Sequence, residues 1–158
     1  DGAAEFARGV ARKVDAPLLV DADGLNAHAG RLELFAERAA PTVLTPHEGE
    51  LGRLLEIDSG EVKAHRLACA REAARRSNAA VLLKGDDTMV ALPDGEVAVS
   101  PGGTPALATA GTGDVLSGII GALLARGLGP LEAASAGAWL HARAGTLGPA
   151  QRKVEDKP

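Results

Sequence analysis

The sequence predicts an α/β fold in which helices flank a mostly parallel sheet with one antiparallel hairpin. Short apolar runs, such as 17–23, alternate with longer stretches of helical periodicity, which is the pattern of strand–helix–strand units. Later in the chain, Pro93-Asp94-Gly95 separates two short apolar segments and is typical of a tight turn. These two observations together indicate a single sheet that ends in a hairpin.

Each predicted element has a local justification. The run 17–23 ends in two carboxylates and suits a buried parallel strand, and Pro46 stops the next strand where a helix begins. Apolar residues on one side of the segment 59–78 favour one long helix. The predicted strands are 17–23, 42–45, 80–84, 88–92 and 96–100. The predicted helices are 3–14, 32–40, 47–55, 59–78, 115–126 and 131–145, followed by a loosely ordered polar tail at 151–158.

Composition bounds the class of protein. The 158 residues suit one domain, placed at 1–150, and a core of Ala, Leu and Val is expected because only 2% of residues are aromatic. A net charge of -4 with mixed signs argues against nucleic-acid or membrane-surface binding. Cys69 is the single cysteine, which excludes an intramolecular disulfide and fits a reducing, cytoplasmic compartment. The longest apolar runs are too short to span a membrane.

The chain opens on a charged amphipathic helix, without Met, a signal peptide or a preceding strand. From this opening we expect an incomplete domain whose N-terminal part is absent.

The segment Gly111-Thr112-Gly113-Asp114 before an apolar helix is the most informative motif. The first backbone N–H groups of a helix have no intrahelical partner, and two glycines let a phosphate approach them closely. A carboxylate beside such an anion site suggests a proton acceptor, and therefore phosphoryl transfer to a hydroxyl group. Asp114 as a plain helix N-cap is an equally good interpretation, and the two roles are compatible.

Other polar residues follow the predicted strands. Asp21 and Asp23 end the first strand, His47 follows the second, and Lys84 ends the third. In open α/β sheets ligands bind beyond the carboxyl ends of the strands, so these side chains are expected to meet there. A P-loop, a dinucleotide-binding glycine motif, a nucleophile elbow and a Cys/His zinc cluster are all missing from the sequence.

Four segments resemble, in order, the signatures of the ADP- or ATP-dependent NAD(P)H-hydrate dehydratases, a family of the ribokinase-like superfamily. The segments are Val20–Asn26, Thr45–Glu50, Leu83–Thr88 and Gly111–Gly118, and His141 and Ala144-Gly145 add to the match. The resemblance covers about residues 3–148.

The resemblance implies repair of hydrated NADH or NADPH. A nucleotide, ADP more than ATP, would phosphorylate the hydroxyl on the nicotinamide ring, and loss of phosphate would restore the double bond and leave AMP. It also implies Mg²⁺, a homo-oligomer, and an epimerase in the same or a separate polypeptide.

The same resemblance assigns the site residues. Asp114 would be the catalytic base and contact the hydrated nicotinamide, His47 would contact the substrate, and Glu50 would hold Mg²⁺ through water. Gly111, Thr112 and Gly113 would form the anion hole. Nucleotide contacts would come from Lys84, Gly85, Asp86, Asp87, Thr88 and Gly113.

Several of these positions have a plainer interpretation. Lys84 alone is an ordinary strand-end lysine, His47 an ordinary helix-start residue, and Glu50 a solvated residue on a helix face. Asp86 and Asp87 depart from the small neutral residues usual in the family, and would repel a polyphosphate unless they point away or share a cation.

The remaining polar and bulky residues receive minor roles or none. Asp21, Asp23 and Asn26 are expected at the pocket rim, although Asn26 could simply cap a short helix. Trp139 and Cys69 are expected to be packing residues, and no role is assigned to His28, His65 and His141.

Two other functions remain open. One is a ribokinase-like kinase of a thiazole or pyrimidine alcohol, and the other is a non-catalytic nucleotide-binding module.

Overall fold

The computed structural model describes residues 2–100, 107, 109 and 111–155, with side chains as far as residue 147. The helices are α1 (Gly2–Lys13), α2 (Asp23–Asn26), α3 (Glu33–Ala36), α4 (Glu48–Leu55), α5 (Ser59–Ala64), α6 (Arg66–Ser77), α7 (Thr112–Ala125) and α8 (Pro130–Glu155). The strands are β1 (Leu18–Val20), β2 (Thr42–Leu44), β3 (Ala80–Leu83), β4 (Thr88–Ala91) and β5 (Val97–Ser100).

The five described strands form one sheet in the order β1-β2-β3-β4-β5. The first three are parallel, with Leu19 opposite Val43 and Val43 opposite Ala80. β4 runs against both of its neighbours, so four of these five strands point the same way. The predicted α/β class and the β4–β5 hairpin are confirmed, and β3 also pairs antiparallel with β4.

Helices cover both faces of the sheet. On one face, Val81 and Leu83 of β3 pack with residues from α1 to α6, including Phe35. On the other face, Leu82 packs with α7 and α8 through Ile120 and its neighbours. Side chains alternate along β3 because successive residues of a strand face opposite sides of the sheet.

Small residues let α7 and α8 approach each other closely. A Cβ added at Gly137 would lie 2.5 Å from Cγ1 of Ile120, a distance that no real packing tolerates. The two Gly/Ala-rich helices therefore pack closely.

Trp139 departs from its predicted packing role, because 60% of its surface is exposed. The buried face of α8 is formed by the small residues Ala133, Ala134 and Ala138. Trp139 follows directly after the last of these and falls outside that face. Cys69 is buried as predicted.

The predicted long helix 59–78 is in fact two helices. His65 has φ -129° and ψ 41°, which ends α5, and α6 begins at the next residue. The apolar periodicity continues across this break, so the sequence pattern could not reveal it.

Two further helix boundaries differ from prediction. The helix expected at 32–40 is limited to α3, since Pro41 and β2 follow shortly afterwards. α8 continues to Glu155 and therefore runs into the predicted tail, whose residues 156–158 lie outside the described part of the chain. In the described part, none of the helices combines the length and the apolar character that crossing a membrane requires.

Candidate active site

Side chains that follow β1, β2 and β3 meet at the carboxyl edge of the sheet. Nζ of Lys84 lies 2.9 Å from Oδ1 of Asp21 and 3.6 Å from Oε2 of Glu50. The side chains are largely shielded from water, with 23%, 14% and 6% of their surfaces exposed, in that order. Parallel strands bring their carboxyl ends to one edge, which places residues distant in sequence within ion-pair distance.

Asp21 is ionised in this cluster. Burial alone would raise its pKa, but hydrogen bonds from Lys84 and Ser117, the charge of Lys84 and the N–H of Ala22 together hold the pKa below its ordinary value. The hydroxyl of Ser117 donates to Oδ2 at 2.7 Å. This bond ties the second turn of α7 to the end of β1.

Ser117 is a site residue that the sequence analysis missed. It lies four residues after Gly113 in a helix, so the two share a face, and that spacing is the signal that could have found it.

The turn after β1 holds Asp21 in place. The N–H of Gly24 donates to the carbonyl of Asp21 at 3.0 Å, and Ala22 adopts φ 48° and ψ -120°. A positive φ is rare for a residue with a Cβ, and such strained positions persist only where the surroundings enforce them.

Asp23 and Asn26 lie beside this turn on exposed positions of α2. Asn26 donates to Asp23 at 3.4 Å and accepts from Nε of Arg53 in α4 at 2.9 Å. The interpretation of Asn26 as the cap of a short helix is wrong, because it is the last residue of α2 and the cap positions are taken by Ala22 and Ala27. Its side chain instead joins α2 to α4.

The start of α4 is closed by a capping box. Nδ1 of His47 accepts from the N–H groups of Gly49 and Glu50 at 3.0 and 3.3 Å, and Oε2 of Glu50 accepts from the N–H of His47 at 2.8 Å. His47 is therefore the helix-start residue that its plainer interpretation predicted. Glu50 is buried, so its interpretation as a solvated residue is wrong.

Among the residues that the structure describes, no side chain caps the start of α7. Gly111 is the N-cap residue, with φ 86°, and Asp114 stands three residues later in the first turn. Asp114 as N-cap is thus wrong, because the glycine takes that position. Asp114 is exposed, and the described residues give it neither a hydrogen bond nor an ion pair.

Gly113 faces the charged cluster. A Cβ placed on it would lie 4.0 Å from both Nζ of Lys84 and Oδ2 of Asp21. The hydroxyl of Thr112 turns the other way and donates to the carbonyls of Leu107 and Thr109 at 2.7 and 2.8 Å. The hydrogen bonds of Thr112 therefore hold the first turn of α7 in place. They leave its Gly113 side facing Lys84 and Asp21.

His141 of α8 lies near the same turn. Burial lowers its pKa, and a hydrogen bond with the backbone of Thr112 raises it by a smaller amount. This contact joins α8 to the first residue of α7. No role was predicted for His141 from the sequence.

The turn that follows β3 carries Gly85, Asp86 and Asp87, all exposed. Thr88 begins β4, and its hydroxyl donates to the carbonyl of Gly85 at 3.4 Å. A cavity of about 580 Å³ lies between this turn and the starts of α4 and α5. It is lined by His47, Glu48, Gly49, Ser59, Gly60, Lys63, Lys84, Gly85 and Asp86.

Arg66 is a second residue that the sequence analysis missed. Its Nη2 donates to the carbonyl of Asp87 at 2.9 Å and to that of Lys84 at 3.4 Å, and its Nη1 pairs with Glu48. The signal was weak, because one arginine among several on a helix has no distinguishing spacing.

The described side chains include no group of three or more His, Cys, Asp or Glu residues able to hold a metal ion. Both oxygens of Asp21 accept hydrogen bonds, and Oε2 of Glu50 already accepts one. Mg²⁺ commonly binds with one or two carboxylates, waters and substrate phosphates rather than in a protein cage. Asp21 and Glu50 therefore fit Mg²⁺ only when water and substrate phosphates supply the other ligands.

Comparison with known proteins gives a consistent picture. The family model for NAD(P)H-hydrate dehydratase matches residues 3–158. The bifunctional NAD(P)H-hydrate repair enzyme of Moorella thermoacetica is 46% identical over 140 residues, which are 89% of this chain and 26% of the relative. The corresponding enzyme of Thermofilum pendens is 48% identical over 91 residues, 58% of this chain and 17% of the relative.

Solved structures agree in fold. The ADP/ATP-dependent NAD(P)H-hydrate dehydratase of Bacillus subtilis, co-crystallised with ATP/Mg²⁺, superposes with a TM-score of 0.79 at 34% identity, over 88% of this chain and 48% of that one. A ribokinase-like superfamily protein of Enterococcus faecalis gives 0.72 at 26% identity, over 96% and 51%. The chain thus spans about half of the length of these solved relatives, and 26% and 17% of the two curated ones. With a family model matched along nearly its whole length and a ribokinase-like fold, the chain belongs to the NAD(P)H-hydrate dehydratase family.

Proposed function

We propose that the protein dehydrates hydrated NADH or NADPH at the expense of a nucleotide, converting ADP to AMP. The observation that carries the proposal is the open start of α7, where Gly113 faces Lys84 and the next residue is an exposed carboxylate with no partner among the described side chains. The names of the relatives support this reaction.

Asp114 is the proposed base. It accepts the proton of the ring hydroxyl while that oxygen attacks the terminal phosphoryl group; the new O–P bond forms as the bond to the nucleotide's leaving oxygen breaks. Phosphate then leaves the ring, the neighbouring carbon loses a proton, and the double bond returns. A well-placed base of this kind contributes about 10²- to 10⁴-fold to the rate.

Gly111, Thr112 and Gly113 are the proposed anion hole. No described side chain caps α7 on its Gly113 side, and that side faces Lys84. N–H groups fixed toward the developing negative charge stabilise the transition state without reorganising. The N–H of Thr112 donates to the carbonyl of Thr109 at 3.4 Å, a long and therefore weak hydrogen bond that a phosphate oxygen could replace.

The nucleotide phosphates are proposed to bind between Lys84 and the turn Gly85–Thr88. An ammonium group has three donors, and Asp21 and Glu50 face two of them, which leaves one for phosphate. Asp86 and Asp87 are exposed, so their charges are well solvated rather than buried against the phosphates.

Mg²⁺ is proposed to enter with the nucleotide, as in the co-crystals of the Bacillus relative. The ion supplies positive charge to the phosphates, and Glu50 is the acid placed to act on it through water. Because Glu50 also closes the capping box, its position is fixed by α4 itself.

His47 is proposed to contact the dinucleotide through Nε2. Its Nδ1 is occupied as an acceptor, so the proton of the neutral ring lies on Nε2, which makes that atom a donor toward the substrate.

The wider setting is also a proposal. The free Cys69 fits a cytoplasmic location, and the relatives named as bifunctional favour a fused or separate epimerase. A homo-oligomer is proposed as well, and residues 1–150 are proposed as the dehydratase part.

Substituting Asp114→Asn tests the assignment. We expect a fall of about 10²- to 10⁴-fold in ADP-dependent loss of the hydrate, measured by recovery of NADH absorbance, with nucleotide affinity retained. Asp94→Asn, in the exposed β4–β5 turn, is the matched control and should behave as wild type.

Retained activity in the Asp114→Asn variant would contradict the assignment. Phosphorylation of a thiazole or pyrimidine alcohol without dehydration would instead favour a kinase, and nucleotide binding without any turnover would favour a binding module.

A further inference from the structure

Arg66 joins two segments of the site that are far apart in sequence. It is the first residue of α6, directly after the break at His65. One nitrogen of its guanidinium pairs with Glu48 at the start of α4, and the other donates to the carbonyls of Asp87 and Lys84. The side chain is only 19% exposed, so these bonds are partly shielded from water.

Gly85 lies directly against the guanidinium. A Cβ on Gly85 would lie 2.4 Å from Nη2 and 2.7 Å from Nη1 of Arg66, so any larger residue must displace one group or the other. The turn after β3 is thus in direct contact with the guanidinium of Arg66 at Gly85.

The shape of the guanidinium suits this task. Its donors point in fixed, coplanar directions, so it binds several acceptors at once, whereas the ammonium of lysine is a point charge. Carbonyls before and after Gly85 both accept from Arg66, which fixes the path of the turn on either side.

We infer that Arg66 is a positioning residue for the nucleotide, one that sets the Lys84–Thr88 turn relative to the start of α4. It contacts neither Asp114 nor the reacting atoms, and acts through the turn. The inference rests on the proposed function, because it assumes that this turn binds the nucleotide phosphates.

The test is calorimetric titration of the protein with ADP/Mg²⁺ and with ATP/Mg²⁺. Arg66→Ala should weaken nucleotide binding about tenfold, as expected when charge-assisted hydrogen bonds to the turn are lost. Arg66→Lys should show most of the same loss, since it keeps the charge but not the fork. Arg71→Ala, exposed on the same helix, is the matched control and should bind as wild type.

A double-mutant cycle with Gly85→Ala separates positioning from general damage. Gly85→Ala alone should also weaken binding, because its Cβ meets the guanidinium. In the Arg66→Ala background that Cβ has space, so adding Gly85→Ala should change affinity by less than about threefold. At saturating nucleotide the kcat of Arg66→Ala should fall far less than its kcat/KM for nucleotide.

Equal nucleotide affinity in wild type, Arg66→Ala and Arg66→Lys would overturn the role of Arg66 and leave the proposed function intact. Additive effects in the cycle would also overturn it. A wild-type protein that binds neither nucleotide would contradict the proposed function, and the inference with it. Thermal melting of each variant identifies any that fails to fold, and Arg66→Lys then carries the test.

Discussion

α4 and α7 both begin at the carboxyl edge of the sheet, yet one start is closed and the other is open. At α4, His47 and Glu50 satisfy each other's backbone groups through a capping box. At α7, a glycine with φ 86° takes the N-cap position, and none of the described side chains caps the helix. Both starts lie near Lys84, through Glu50 at one and Gly113 at the other.

The difference shows how one protein uses the same local physics in two ways. A helix start carries unpaired N–H groups and partial positive charge, which a side chain or an anion can satisfy. The closed start of α4 fixes Glu50 and Lys84, while the open start of α7 is left for a ligand.

Closing the open start should have the largest effect. Gly113→Ala places a Cβ between α7 and Lys84, in space that a bridging phosphate needs, yet 4.0 Å from the nearest atoms. We expect nucleotide affinity to fall at least about tenfold in calorimetry, with no loss of melting temperature.

Gly118→Ala is the matched control, because a Cβ there meets no described atom within 4 Å. It should leave affinity unchanged and stabilise α7 by up to about 1 kcal/mol, as expected for Gly to Ala inside a helix. Undiminished affinity in the Gly113→Ala variant would show that the open start does not bind the phosphates.

Asp21→Asn should have an intermediate effect, because it weakens the hydrogen bond from Ser117 that joins α7 to the end of β1. Hydrogen bonds to a charged group contribute about 1.5–3 kcal/mol when well formed, and this carboxylate is incompletely buried, so we expect a loss near the lower figure in urea unfolding at pH 7.

The pH dependence of stability tests the same carboxylate. Its pKa is lowered by folding, so its contribution is fully present above the ordinary aspartate value near 4 and is lost as pH falls through the lower folded pKa. The difference between wild type and Asp21→Asn should therefore shrink below about pH 4. A difference that stays constant from pH 7 to pH 2 would contradict an ionised, paired Asp21.

Opening the closed start should have the smallest effect. His47→Ala removes the N-cap acceptor and should cost about 1 kcal/mol of unfolding free energy, whereas His47→Asn supplies a good cap and should cost much less. Both lose the imidazole, so both should raise the KM for the hydrated substrate. If His47→Ala raised that KM and His47→Asn did not, His47 would act by capping α4 and not by contacting the substrate.

Asp23 was expected to end the first strand, but β1 ends at Val20 and Asp23 begins α2. Side chains that do follow strand ends could be placed from the sequence, because apolar runs mark the strands and parallel strands bring their carboxyl ends to one edge. Asp21 and Lys84 meet for that reason, although 63 residues separate them. Ser117 and Arg66 were missed, since each is defined by a partner far along the chain and neither disturbs its own helix's pattern.

Two errors have a common cause. The spacing of apolar residues shows which residues share a face of a helix. It gives neither the backbone angles of a single residue nor the space that the neighbouring surface leaves for a side chain. The break at His65 depends on the φ and ψ of one residue, and Trp139 lies outside a face already filled by alanines. Asp114 was predicted as base or cap, and only the position of Gly111 removed the second choice.

A crystal structure with ADP, Mg²⁺ and a hydrated dinucleotide tests the central claim most directly. We expect the terminal phosphate within about 3 Å of the backbone nitrogen of Gly113, near Nζ of Lys84, with the Asp114 carboxylate on the ring hydroxyl. A phosphate bound elsewhere, with Asp114 turned into solvent, would contradict it.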